Sequence, residues 1–260
     1  MARANRHHIP GQVWHITHRC HKKEFLLKFA RDRKRWLQWL LEAKKRFGLD
    51  ILNYTVTSNH IHLLVADGEE EVIPKSVQLV AGRTAQEFNR RKERKGAFWE
   101  DRYHATAIET GDHFLRCLVY IDLNMVRNGV VQHPSAWQHG GYNEIQNLPR
   151  RYVLINREKL IACCSLGSDE ELRKSHREWV EEAIVRDGHT RQPQWSESIA
   201  VGSERFVRDV LEKLQVRAKG RKVREGDDRY ELREREAAYN AHFPRENGLP
   251  RIENEFYWNE

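Results

Sequence analysis

Cysteine is scarce and unpatterned. The four in 260 residues, Cys20, Cys117, Cys163 and Cys164, make no C-x-x-C pair, which excludes a secreted disulfide framework. Long apolar runs are missing as well. Nowhere do about eighteen apolar residues follow one another, so no membrane-spanning helix is expected. The opening Met1-Ala2-Arg3-Ala4-Asn5-Arg6 leads into no apolar stretch of the kind a secretory leader has. No internal repeat is evident. These absences predict a cytoplasmic protein that keeps its thiols reduced and does not engage a membrane.

What the chain does have is positive charge and aromatic rings. Lys and Arg number 45 against 38 Asp and Glu, a formal charge of +7, and there are 8 Trp, 8 Tyr and 9 Phe. Lys and Arg meet phosphates and aromatic faces stack on unpaired bases, so nucleic acid is the partner class this balance favours. A basic protein with no such partner would share the composition. The length suffices for one large domain, or one domain and a smaller one.

The hydrophobic pattern orders the first half of the chain. Gln12 to Arg19 alternates as a strand, with Trp14, Ile16 and His18 on one side. His15 and His18 fall on opposite faces, so they cannot act as a pair, and each reads as structural or DNA-facing rather than as a ligand. Ala30 to Phe47 carries a helical stripe of Trp36, Leu37, Leu40, Ala43 and Phe47, stopped by Gly48. Most of its cations read as a solvated face. Leu49 to Thr57 is a second strand, with Ile51, Asn53 and Thr55 on one face. The turn Thr57-Ser58-Asn59 returns the chain as a hairpin partner that ends at Asp67-Gly68. A helix follows Pro74 to about Arg91, then a basic loop, then a fourth strand from about Arg102 to Glu109. The order β-α-β-β-α-β predicts an α+β, ferredoxin-like split βαβ fold. It has a four-stranded antiparallel sheet with helices on one face and the other face free for a site.

Two features carry chemistry. In the third strand, Ser58-Asn59-His60-Ile61-His62-Leu63, the period of two sends His60 and His62 to the same face. Two neutral imidazoles side by side are a half-site for a divalent metal, although an exposed strand face can carry two histidines without one. A third helix is expected from Asp112, as its N-cap, to Asn128-Gly129. On it His113, Arg116, Cys117, Tyr120, Asn124 and Arg127 share one stripe, with Tyr120 and Asn124 adjacent at i and i+4. Asp122 falls among the apolar positions for no reason visible in the sequence. A phenol with a pKa of about 10 is a poor nucleophile at neutral pH. It becomes useful where a metal polarises the phosphate it attacks and cations favour the phenolate. Two imidazoles and the Asn124 carbonyl would supply three metal ligands and leave positions open. A structural zinc site needs four closed ligands, which this set does not provide. Arg90, Arg91, Arg102, Arg116 and Arg127 are the candidate DNA contacts.

Three motifs occur in order over about residues 8 to 145: Asn59-His60-Ile61-His62-Leu63-Leu64, Phe98-Trp99-Glu100-Asp101-Arg102-Tyr103, and Tyr120-Ile121-Asp122-Leu123-Asn124-Met125-Val126-Arg127-Asn128-Gly129. Together they resemble the single-tyrosine HUH transposases, and among these the REP-associated tyrosine transposase branch. The resemblance implies a DNA strand-transfer enzyme acting on single-stranded or hairpin DNA, as a monomer or homodimer. It implies that His60 and His62 bind Mg²⁺ or Mn²⁺, with Asn124 as third ligand or polar helper. Tyr120 would attack the scissile phosphate and leave a 5′-phosphotyrosine. A domesticated hairpin-binding protein without strand transfer is the alternative. Met125 departs from the family's usual proline, so the helix need not break there. Tyr103, in a predicted strand, reads as packing or DNA contact.

The resemblance thins beyond residue 148, which divides a transposase domain over 1–148 from a helical C-terminal extension over 149–260. Trp137 to Leu148 reads as a polar loop with Gly140-Gly141. Ser168 starts a helix to about Asp187, packed through Leu172, Trp179, Ala183 and Ile184. After a loop from Gly188 to Gly202, Ser203 caps another helix with Phe206, Val207, Val210, Leu211 and Leu214 on its apolar face. The pair, with Lys219 to Arg224 behind it, reads equally as a DNA-binding appendage and as a brace on the main domain. From Asp227 the chain reads as partly helical to Phe243, then as a tail that orders only if Phe256-Tyr257-Trp258 docks.

Overall fold

The computed structural model describes residues 9–69, 71–187, 190–214, 220–226 and 228–233. Its first half runs β1 (Val13–Arg19), α1 (Ala30–Phe47), β2 (Asp50–Val56), β3 (His60–Ala66), α2 (Val72–Arg91) and β4 (His104–Ile108). These strands lie in the order β2-β3-β1-β4 and pair antiparallel throughout. That is the arrangement expected of a split βαβ unit. α1 ends at Gly48, whose φ of 70° only glycine adopts freely and whose N–H reaches Lys44 O at 2.9 Å. Trp36 and Leu40 of α1 and Val77 and Val80 of α2 meet Ile16, Ile61 and Leu63 on one face of the sheet. Among the described residues no helix is long and apolar enough to cross a membrane.

The alternation in β2 slips once. Ile51 lies opposite Val65 but Asn53 opposite Leu64, so a bulge at Leu52 puts Ile51 and Asn53 on opposite faces rather than on the same one. Asn53 and Thr55 thereby share a face with His62, His15 and Thr106. This polar face is not open. The helix α3 (Asp112–Asp122) crosses it, and two of its carbonyls accept from the sheet: Leu118 O from Asn53 Nδ2 at 3.1 Å and Ile121 O from Thr55 Oγ1 at 3.0 Å. Gly111, not Asp112, is the N-cap of α3. The helix breaks at Leu123 (ψ 3°), and α4 (Asn124–Arg127) resumes after it although residue 125 is methionine. Arg127 supplies a physical reason, because its Nη2 occupies the Tyr120 carbonyl at 2.6 Å.

The sheet is larger than four strands. β5 (Ala200–Gly202) pairs parallel with β4, and the hairpin β6 (Lys222–Glu225) and β7 (Tyr230–Arg233) continues beyond it, giving the order β2-β3-β1-β4-β5-β7-β6. The α+β class stands, with strands as well as helices beyond residue 148. An open edge on β4 would leave backbone groups unpaired. Instead Ala107 N reaches Ile199 O at 2.8 Å and Glu109 N reaches Val201 O at 3.1 Å. Tyr142–Gln146, expected as loop, is a short helix, α5, and Arg157–Cys163 forms α6. α7 (Asp169–Asp187) starts at Ser168, whose Oγ accepts from Glu171 N at 3.1 Å. α8 (Gln194–Glu197) interrupts the expected loop, and α9 (Glu204–Leu214) follows its Ser203 cap. Residues 222–225 and 230–233, read from sequence as basic appendage and part-helix, are strands. The tail with Phe256, Tyr257 and Trp258 lies outside the described residues.

Asp122 is explained by what surrounds it. Its carboxylate accepts from Asn53 Nδ2 at 3.1 Å and from His176 Nε2 of α7 at 2.8 Å, and both the Asp122 and His176 side chains are fully buried. Gly141 sits against the same network. A Cβ there would overlap Asn53 Oδ1, the atom that accepts from Tyr54 N at 2.7 Å. Gly141→Ala is therefore expected to destabilise by about 1–3 kcal/mol, the usual cost of overpacking a filled site. A thermal melt checks this, and a wild-type Tm would show that Asn53 can yield.

Candidate active site

β3 delivers the histidine pair and its turn fixes the first ring. Thr57 Oγ1 donates to His60 O at 2.9 Å, so toward the ring this hydroxyl can only accept. His60 Nδ1 lies 2.9 Å from it and 2.7 Å from the acceptor Asn59 Oδ1. Nδ1 therefore carries the proton, and Nε2 keeps its lone pair.

The second ring is fixed by a histidine on β1. His15 Nδ1 lies 2.7 Å from Trp195 O, a carbonyl that can only accept, so His15 Nδ1 is the donor. His15 Nε2 must then accept, and its partner at 2.8 Å is His62 Nδ1. His62 in turn keeps its lone pair on Nε2, which receives Asn124 Nδ2 at 2.9 Å. The His15 and His62 rings are nearly coplanar, 11° apart. Burial is the main reason all three imidazoles stay neutral: it lowers His15 to about 3, His60 to about 4 and His62 well below the usual value.

Tyr120 on α3 faces this cluster. Its ring centroid is 5.9 Å from that of His62, at 85°, and 6.2 Å from that of Trp195. The Arg127 guanidinium lies 3.8 Å from the centroid of the phenol ring. Burial raises the phenol above its ordinary pKa, while the Arg127 charge works in the opposite direction. Tyr120 also borders a cavity of about 810 Å³ with Arg116, Arg127, Trp179, Arg191 and Trp195 around it. His60, His62 and Asn124 lie outside its lining, so Tyr120 and Trp195 join the cavity to the histidine cluster.

The structure thus brings together His60, His62, Tyr120, Asn124 and Arg127. Arg116 is on the cavity wall, ion-paired with Asp228. Arg91 is ion-paired with Asp32, while Arg90 and Arg102 are exposed away from the cavity. Tyr103 is buried immediately before β4. His15 and Trp195 were not legible as site residues. The pairing of Thr17 with His62, which puts His15 on the same face, depends on a strand register that alternation alone does not set.

Whether the cluster suits a metal is decided by its donors. Among the described residues no three His, Cys, Asp or Glu side chains gather as a metal-binding group. The available set is two neutral imidazoles with Nε2 lone pairs and an amide beside one of them. These residues fit a divalent cation, provided the Asn124 amide turns its oxygen toward His62.

Residues 10–124 match the family model described as "Transposase IS200 like". The chain is similar to a REP-associated tyrosine transposase solved bound to a REP hairpin, at 19% identity and a TM-score of 0.47, over 55% of this chain and 84% of that one. It is also similar to a "putative transposase" from Deinococcus radiodurans R1, at 17% identity and a TM-score of 0.32, over 43% of this chain and 88% of that one. Among curated proteins none matches. Over residues 10–124 the chain is therefore similar to the IS200-like transposases.

Proposed function

We propose that this chain cleaves single-stranded or hairpin DNA in a metal-dependent reaction with Tyr120 as nucleophile. The observation that supports it most is the convergence of Tyr120 with two histidines whose lone pairs are both on Nε2. His60 Nε2, His62 Nε2 and the Asn124 amide oxygen would hold Mg²⁺ or Mn²⁺. When bound, such an ion neutralises charge on the phosphate and makes its phosphorus easier to attack. Tyr120 Oη forms a bond to the scissile phosphorus as its proton passes to solvent. The P–O3′ bond breaks, the 3′ oxygen takes up a proton, and the 5′ phosphate stays on the tyrosine. Arg127, over the phenol ring, favours the phenolate as it forms. The motif set is most similar to the REP-associated branch, which supports hairpin DNA as the substrate form.

The test is a denaturing gel of labelled hairpins, drawn from DNA flanking the chain's own gene, incubated with the protein and Mn²⁺. A protease-sensitive shifted band that disappears in EDTA is expected. Hairpin binding with no covalent band under any divalent metal would replace this reading with that of a DNA-binding protein that does not cut. Affinity for the hairpin should also fall by at least about tenfold between roughly 50 and 200 mM salt, because phosphate contacts release counterions. Filter binding across that range checks it, and a flat response would remove the electrostatic footprint.

A further inference from the structure

Three hydrogen-bonded groups in a row end on a part of the chain that the family match does not reach. Asn124 and His62 belong to residues 10–124, and so does His15, but Trp195 lies about seventy residues beyond. We propose that His15 is a positioning residue for His62, and that the Trp195 carbonyl completes the site by fixing which nitrogen of His15 accepts. This rests on the reading of His60 and His62 as metal ligands.

The physical argument is one of tautomers. A neutral imidazole has one N–H and one lone pair, and isolated in water it exchanges between two forms. A ligand histidine binds metal with its lone-pair nitrogen, and the partner of its other nitrogen decides which one that is. For His60 the partners are its own turn, Thr57 and Asn59. For His62 the partner is another imidazole, which could itself either accept or donate. The Trp195 carbonyl removes that freedom from the His15 side, because it accepts from His15 Nδ1 and leaves Nε2 to accept from His62.

The carbonyl is held firmly. Thr106 Oγ1 of β4 lies 3.2 Å from Trp195 O and 2.6 Å from Ser198 O, and His104 Nε2 reaches Ser198 O at 2.9 Å. The Trp195 indole is almost wholly buried, and its Nε1 donates to Gln192 Oε1 at 2.6 Å. β4 thus pins residues 195–198, and these set His15, which sets His62. His15 cannot serve as a ligand in this arrangement, since one of its nitrogens faces a carbonyl and the other faces His62.

The test uses the full chain without DNA. Long-range ¹H–¹⁵N spectra of the histidine rings should show His62 protonated on Nδ1. Mn²⁺ binding, followed by calorimetry or by loss of the free-ion electron paramagnetic resonance signal, should weaken about 10–100-fold in His15→Ala. His15→Gln, whose Oε1 can accept from His62 Nδ1, should recover most of the affinity and keep the His62 tautomer. A histidine needed only for packing would not be rescued in this pattern. Wild-type Mn²⁺ affinity in folded His15→Ala, or His62 protonated on Nε2 in the wild type, would overturn the proposal. If His15→Ala fails to fold, His15→Gln with a changed tautomer would overturn it equally. His62→Ala separates the two readings. Mn²⁺ binding unaffected by His62→Ala defeats the metal-ligand reading, while the tautomer spectrum still decides the role of His15.

Discussion

Tyr120→Phe should remove the covalent DNA adduct and slow strand cleavage by about 10⁴-fold or more, as loss of a nucleophile does, while hairpin binding and Tm stay close to wild type. The reason to expect so clean a separation lies in what the ring touches. The phenol is 7% exposed, and its ring meets Arg127, His62 and Trp195. Phenylalanine keeps all of these faces, including the cation–π contact with the guanidinium. It loses only the hydroxyl, the group that the proposed reaction needs. A tyrosine present for packing alone would give the opposite result, with cleavage intact. Retained adduct formation in Tyr120→Phe would move the nucleophile elsewhere. Tyr103 is the next tyrosine in the motifs, and the peptide that carries the DNA label would identify it by mass spectrometry.

The parts of this site that the sequence made legible are those encoded within a single element. His60 and His62 share a face because the strand period is two, and Tyr120 and Asn124 are neighbours because a helix brings i and i+4 together. The bounds of α1 follow from its stripe and from Gly48. The parts that stayed hidden depend on relations between elements. His15 becomes a site residue only through the register of β1 on β3 and through a carbonyl far along the chain. The bulge at Leu52 inverts the face of Ile51 without changing the alternation of residue types. β5 has three residues, too few for a pattern, and β6 and β7 are charge-rich hairpin strands that read as solvated chain. The break at Leu123 also escaped, since the side chain associated with it, Arg127, lies downstream and bonds back to Tyr120 O.

Asp122 is the residue for which sequence offered no reason, and it carries the other large expected effect. His176 Nδ1 lies 2.9 Å from Gln146 Nε2, an amide donor, so His176 Nε2 bears the proton that reaches Asp122 Oδ2 at 2.8 Å. His176→Leu removes that donor and leaves a buried carboxylate with Asn53 alone. Breaking a buried charged contact on one side costs about 3–5 kcal/mol. For a chain of this size that lowers Tm by roughly 10 °C. Adding Asp122→Asn should recover much of the loss, because the uncompensated charge goes with it. A double mutant no more stable than His176→Leu would show that shape, not charge, is what His176 supplies. The contact also bears on the chemistry. Asp122 follows Tyr120 by two residues on α3 and precedes Asn124 by two, at the point where the helix breaks. α7 therefore meets the end of α3 from one side, through His176, while α8 meets His15 from the other, through the Trp195 carbonyl. If both contacts position the site, His176→Leu/Asp122→Asn should regain adduct formation along with stability. Restored stability without restored adduct would locate the function of Asp122 in the placing of Tyr120.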